Sequence, residues 1–342
     1  MRPVFSIALA AAGLVGGGLL LTFERPPVEV VQRGYRGVAM EQNYHPATLA
    51  KLAAANQAPF VFPAAQANGP TAGATYKNVQ VLKDLSVGQF TRLMAAITTW
   101  VAPQQGCTYC HVDANNLASD DIYTKVVARR MLQMTQHINA DWTNHVAATG
   151  VTCYTCHRGN PVPAIGVWYN DTGALDHRGI GRGRTASGQN RVALNAAYAS
   201  LPYDPMTPFL EQANQIRIQP LTALPTDSVI STKQTEWTYA LMMHMSQALG
   251  VNCTYCHNSR AFWDWSASTP QRATAWYGIR LVRDLNNNYL NPLRPVFPAV
   301  RLGPDGDGPK LNCATCHQGV YKPLFGVNIV NGYPELKTVV KQ

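Results

Sequence analysis

Residues 155–167 read TCHRGNPVPAIGV and residues 315–327 read TCHQGVYKPLFGV, one pattern of Thr-Cys-His-x-Gly-x-x-x-Pro-x-x-Gly-Val written twice. Each completes a Cys-x-x-Cys-His run, Cys153/Cys156/His157 and Cys313/Cys316/His317. Two further runs, Cys107/Cys110/His111 and Cys253/Cys256/His257, share the form Cys-Thr-Tyr-Cys-His. The first run therefore pairs with the third and the second with the fourth, and the chain reads as an internal duplication with halves at 76–167 and 226–327.

Cys-x-x-Cys-His is the attachment pattern of c-type haem, in which two thiols bond to the macrocycle and the adjacent His reaches the iron. A single copy would also suit a redox dithiol or half a zinc site. Four copies that use all eight cysteines select four covalently attached haem c groups, on Cys107, Cys110, Cys153, Cys156, Cys253, Cys256, Cys313 and Cys316. His111, His157, His257 and His317 are then ligands on one face of each iron, and no cysteine remains for a disulfide.

A helical pattern precedes each motif. SVGQFTRLMAAITTWV opens on a Ser86/Gln89 capping box. DDIYTKVVARRMLQMTQHIN carries Asp120 and Asp121 in its expected first turn, where they favour the helix dipole. STKQTEWTYALMMHMSQALG ends at Gly250, a C-cap residue, and the fourth pattern starts at Thr269 with Pro270 at its first position. Their apolar stripes align as Met94-Ile97-Val101, Met131-Met134-Ile138, Met242-Met245-Leu249 and Gly278-Leu281-Leu285. Methionines at this spacing are commonly core filler. Recurrence in register before a haem motif instead points to Met94, Met131 and Met242 as second axial ligands, with Met134 and Met245 as the alternatives one turn on. Met243 and His244 fall on another face.

The fourth helix has Gly278 where the others have Met, which suits the close approach of an imidazole from elsewhere. The remaining histidines are His45, His137, His145, His177 and His244. His145 is the candidate, because it lies in an excursion before the second motif that has no counterpart before the first and third. A surface or capping role is its alternative. The expectation is three His/Met irons and one His/His iron, with His145 of the first half ligating the haem of the second.

Residues 1–23 hold Arg2 and then no charge up to Glu24, the length and character of a membrane span. A cleaved signal peptide has similar features. The anchor reading puts the body of the chain in the periplasm, and with no cysteine near residue 23 a lipid anchor at that junction is not expected. Segment 24–75 is rich in Pro, Ala and Gly and is expected to be extended. Segment 168–225 reads as an irregular crossover with a short helix near 191–199, and 328–342 as a tail. Only 14% of residues are charged, below the roughly 25% of typical soluble domains, which leaves surface for cofactor, protein or lipid. The net charge of +9 would suit nucleic acid or an anionic membrane, but haem propionates would bring about eight negative charges, so no nucleic-acid partner is expected.

With these motifs, the Met94, Met131, Met242 and His145 pattern, and the Gly-x-x-x-Pro tails, the chain from about residue 24 onward resembles the tetrahaem cytochrome c subunits of purple-bacterial photosynthetic reaction centres. The resemblance implies a mainly α multihaem cytochrome c with extensive irregular coil and two pseudo-symmetric dihaem halves. It implies an electron carrier and no enzyme, held on the bacterial inner (intracytoplasmic) membrane by the N-terminal helix. Its expected partners are the L and M core subunits with their bacteriochlorophyll special pair, and a soluble cytochrome c or high-potential iron–sulfur protein as donor. It also implies a spatial order of third, fourth, second and first haem, the third nearest the special pair. Some family members carry a lipidated N-terminal Cys, which this chain lacks. A membrane-anchored multihaem cytochrome of a quinol-oxidising chain is the alternative, for which wider use of His would be expected. Arg272 is a candidate partner of a haem propionate or an ordinary helix-start residue. Asp113, Asp120 and Asp121 are candidates for an acidic docking patch or a solvated helix start.

Overall fold

In the computed structural model of the protein the described residues are 2–23, 28–32, 41–113, 115–170, 201, 202, 204–219 and 231–337. Most of the expected crossover, including His177 and the helix expected near 191–199, lies outside them, as do 226–230 and 338–342.

The four helical patterns fold as helices. Helix α1 is Arg2–Thr22; α2 is Pro46–Ala55 and α3 the single turn Ala72–Thr75. The first motif helix is then α4, Val87–Val101, which starts on the Ser86/Gln89 capping box and buries Leu93, Ala96 and Trp100. Helix α5, Tyr123–Asp141, starts after the two acids expected in its first turn. Asp120 instead accepts two 2.7 Å hydrogen bonds from the Arg129 guanidinium and lies 3.4 Å from Lys125 Nζ. One turn, α6, spans Thr143–Val146, and α7 is Cys153–His157. Ser231 caps α8, Thr232–Leu249, which ends on Gly250 at φ 62°. Thr269 and Pro270 open α9, Pro270–Leu285, and α10 is Cys313–His317.

Sheet is minimal among the described residues. Strands β1, Glu29–Gln32, and β2, Glu41–Tyr44, pair antiparallel, as do β3, Val167–Trp168, and β4, Lys310–Leu311. Segment 24–75 is therefore less extended than its composition suggested. Its Ala-rich run has the propensity for α2, and His45 caps that helix by accepting from Ala47 N at 3.2 Å.

Among the described residues three large buried clusters form the core, with a small fourth at Leu201 and Ala240. In the first, Leu93, Ala96 and Trp100 of α4 meet Leu132 of α5 together with Ile329, Val330, Tyr333 and Leu336, so the expected tail is core material. The Trp100 and Tyr333 rings meet edge to face at 4.7 Å. Arg92 ties this corner down by donating to the carbonyls of Phe62 and Gly332, each at 2.7 Å. The second cluster packs Met134 and Ile138 of α5 on Leu281 and Leu285 of α9, and the third packs Leu241 of α8 and Ile279 of α9 on Trp168, Met206, Phe209 and Leu210. Each such side chain contributes roughly 1.5–3 kcal/mol by leaving water.

Helix α1 has exposed Ile7, Leu9, Leu14, Leu19, Leu20 and Leu21. Among the described residues no helix is long and apolar enough to cross a membrane.

Candidate haem sites

The motifs adopt two local forms, paired as their sequences are. The first and third make short 3-10 turns, Gly106–Tyr109 and Cys253–Tyr255. The second and fourth are the one-turn helices α7 and α10. At the start of these helices Thr152 N donates to Thr155 Oγ1 and Asn312 N to Thr315 Oγ1, both at 3.0 Å. At their ends Arg158 and Gln318 both take φ 49°, a left-handed conformation that is costly for a side-chain-bearing residue. The tails then return to the preceding long helices: Gly159 N donates to Trp100 O and Gly319 N to Ala248 O, each at 2.8 Å. Trp100 and Ala248 stand at equivalent places, six residues after Met94 and Met242.

All four motif histidines are oriented by the same device. Nδ1 meets a backbone carbonyl in each: His111 with Leu117 at 2.9 Å, His157 with Asn160 at 2.9 Å, His257 with Phe262 at 2.8 Å and His317 with Val320 at 3.0 Å. Donation from Nδ1–H fixes the tautomer and leaves Nε2 unprotonated, the state a metal ligand requires. Burial holds His157 and His257 below the ordinary imidazole value and pushes His317 down to about 4, aided there by the neighbouring His145. Neutral imidazole is the form that binds a metal.

His145 packs against Gly278. Gly278 is buried on α9, and a Cβ built there would stand 2.6 Å from His145 Cε1. His145 Nδ1 donates to Thr274 O at 2.9 Å, and its ring meets that of His317 edge to face, with centroids 6.1 Å apart and planes inclined at 71°. Two metal–imidazole bonds of about 2 Å fit between rings at that separation. Burial lowers the pKa of His145, against the opposing pull of the Thr274 carbonyl. The other described histidines are engaged elsewhere: His45 caps α2, His137 lies 2.7 Å from Asp141 and 2.6 Å from Asp284, and His244 is buried on α8.

What holds α6 in place was not read from the sequence. Trp142, just before it, donates from Nε1 to Asp284 Oδ2 at 2.9 Å, so α6 is fastened to α9 at both Trp142 and His145. These contacts join residues far apart in sequence, and no local pattern signals them.

Met94, Met131 and Met242 are half-buried on α4, α5 and α8, each against a core cluster, whereas Met134 is itself a buried core residue. Burial pushes the thiols of Cys110, Cys153 and Cys256 up to about 11 and that of Cys313 up to about 12. Cys156 and Cys316 bring their sulfurs to 3.1 Å, so the second and fourth motifs touch. The paired thiols, the four imidazoles oriented through Nδ1 and the neighbouring pair His145/His317 fit covalently bound haem c.

Arg272 bonds within its own region, donating to Asp264 O at 2.9 Å and Ser268 Oγ at 2.7 Å, with the guanidinium carbon 4.1 Å from the Trp265 ring centroid. Of the three candidate docking acids, Asp113 accepts from Asn115 N and Asn116 N, Asp121 accepts from Ser119 Oγ, and Asp120 is paired with Arg129.

The family model described as "Photosynthetic reaction centre cytochrome C subunit" matches residues 24–337. The photosynthetic reaction center cytochrome c subunit of Thermochromatium tepidum is 54% identical over 343 residues, covering 100% of this chain and 83% of the relative. That of Rubrivivax gelatinosus is 54% identical over 333 residues, covering 97% and 88%. A more distant relative, cytochrome c-554 of Chloroflexus aurantiacus, is 27% identical, covering 74% and 71%.

Proposed function

The chain belongs to the family of photosynthetic reaction centre cytochrome c subunits, and from that premise we propose that it carries electrons from a soluble donor through four haem c groups to the photo-oxidised bacteriochlorophyll special pair. It is a membrane-associated electron carrier, and haem c supplies the one-electron chemistry.

The observation that carries the finer reading is the pair His145/His317. Each ring has Nδ1 committed to a carbonyl and turns toward the other, from opposite halves of the chain. An iron held there by both Nε2 atoms has no open position for a substrate. With Met94/His111, Met131/His157 and Met242/His257 at the other irons, the protein is built to pass electrons and to exclude bound-substrate chemistry. Met/His pairs favour higher potentials than His/His.

Two dihaem halves, 76–167 and 226–327, are supported by the matched tail contacts Gly159 to Trp100 and Gly319 to Ala248. Although no described helix is long and apolar enough to cross a membrane, the exposed apolar side chains of α1 need covering, so α1 is the proposed point of membrane attachment, with the body of the chain in the periplasm. The L and M core subunits are the proposed partners on the membrane side, and a soluble cytochrome c or high-potential iron–sulfur protein on the other.

Flash-induced absorbance of the haem bands in membranes containing this protein tests the proposal. Haem oxidation matched in time to re-reduction of the special pair is expected. No haem oxidation, in membranes with active reaction centres and reduced haem, overturns it.

A further inference from the structure

Among the four carbonyls that orient the motif histidines, that of Leu117 is distinguished by its second donor. It accepts His111 Nδ1 at 2.9 Å and also Lys125 Nζ at 2.6 Å. Lys125 is only 8% exposed, and it sits on the first turn of α5, far along the chain from the histidine it affects. Its ammonium also donates to Ser119 O at 2.8 Å and lies 3.4 Å from Asp120. Asp120 is shared between Lys125 and Arg129, both terminal nitrogens of which donate to it.

We propose that Lys125 is a positioning residue that raises the reduction potential of the haem held by Cys107, Cys110 and His111. This rests on His111 being the ligand of that iron. A carbonyl oxygen has two acceptor sites, and a cation on one withdraws electron density from the other. The Leu117 carbonyl then pulls less on the Nδ1 proton of His111, so the imidazole keeps less anionic character and donates less to the iron. Outer hydrogen bonds of this kind set ligand basicity, and ligand basicity is a lever on potential. A weaker donor favours the reduced iron. His157, His257 and His317 show no second, cationic donor on their carbonyls among the hydrogen bonds of the described residues, so the effect belongs to the first motif.

The test is a redox titration of the full-length, haem-loaded protein carrying Lys125→Met, with Lys125→Gln as a second uncharged variant should the first fold poorly. The step of the first-motif haem is identified as the one displaced by Met94→His. Loss of the ammonium is expected to shift that step alone about tenfold toward oxidation, which is about 59 mV for one electron, and Lys125→Arg is expected to restore it. An unmoved step, or an equal shift of every step, overturns the proposal. The premise is checked separately by His111→Ala, which must alter the absorption of one haem; an unchanged spectrum there overturns the ligand assignment instead.

Discussion

The imidazole of His145 lies on Gly278, so close that a methyl group on that glycine would stand 2.6 Å from Cε1 and 2.9 Å from Nδ1. In an ordinary helix Gly→Ala is stabilising by about 1 kcal/mol. Here the sign reverses, because the added carbon displaces the ring. Gly278→Ala is expected to lower stability and to open one iron, read as carbon monoxide binding to the reduced protein where the unsubstituted protein binds none.

Met131 and Met134 lie one turn apart on α5, the first the proposed ligand and the second a core residue, so the two separate ligation from packing. Met134→Leu replaces a buried core side chain by one of similar volume, so it should cost less than about 1.5 kcal/mol and leave every redox step in place. Met131→His converts a Met/His pair to His/His and should lower one step. Redox titration of both variants checks the contrast, and a step displaced by Met134→Leu would reverse the assignment.

Asp120 gives the folded state a definite response to acid. Hydrogen bonding from Arg129, with help from Asn78 and Lys125, holds its carboxyl well below the usual range. The folded pKa thus lies below the unfolded value of about 3.9, so the group stabilises the fold above that pH and loses this contribution as pH falls toward the folded value. Asp120→Asn should be less stable at neutral pH, and its deficit should shrink on acidification in paired denaturant titrations.

Gly166 and Gly69 both take positive φ, at 82° and 94°, but only Gly166 is crowded. A Cβ there would stand 2.2 Å from Thr315 N, in the backbone of α10, while at Gly69 nothing lies within 4 Å. Gly69→Ala should therefore cost roughly 1–2 kcal/mol for conformation alone. Gly166→Ala should cost distinctly more and loosen the fourth motif, measurable as a larger drop in unfolding midpoint and slower haem attachment.

Features written in a few consecutive residues were legible before folding. The Ser86/Gln89 box, the Thr269–Pro270 start and the Gly250 stop appear where the sequence puts them. The missing Met at Gly278 even announced its visitor, since only an absent side chain leaves room for a ring. Features set by distant partners were not legible. Asp120 and Asp121 read as first-turn acids, yet α5 begins at Tyr123 because Asp120 is drawn to Arg129 and Lys125. The fastening of Trp142 to Asp284 spans 142 residues, and no periodicity reports it. Helix α2 was hidden by composition, its alanines counted with the prolines and glycines around them.

The burial of Ile329, Val330, Tyr333 and Leu336 around Trp100 of α4 bears on timing. The core around α4 is completed by residues that follow all four motifs in the chain. That contact cannot close while the chain is still emerging, and such long-range closure is slow even afterwards. Cys153 belongs to the same cluster, so its thiol stays uncovered until these later residues arrive. Chain order thus acts as a clock, keeping that thiol open until the fourth motif has been made.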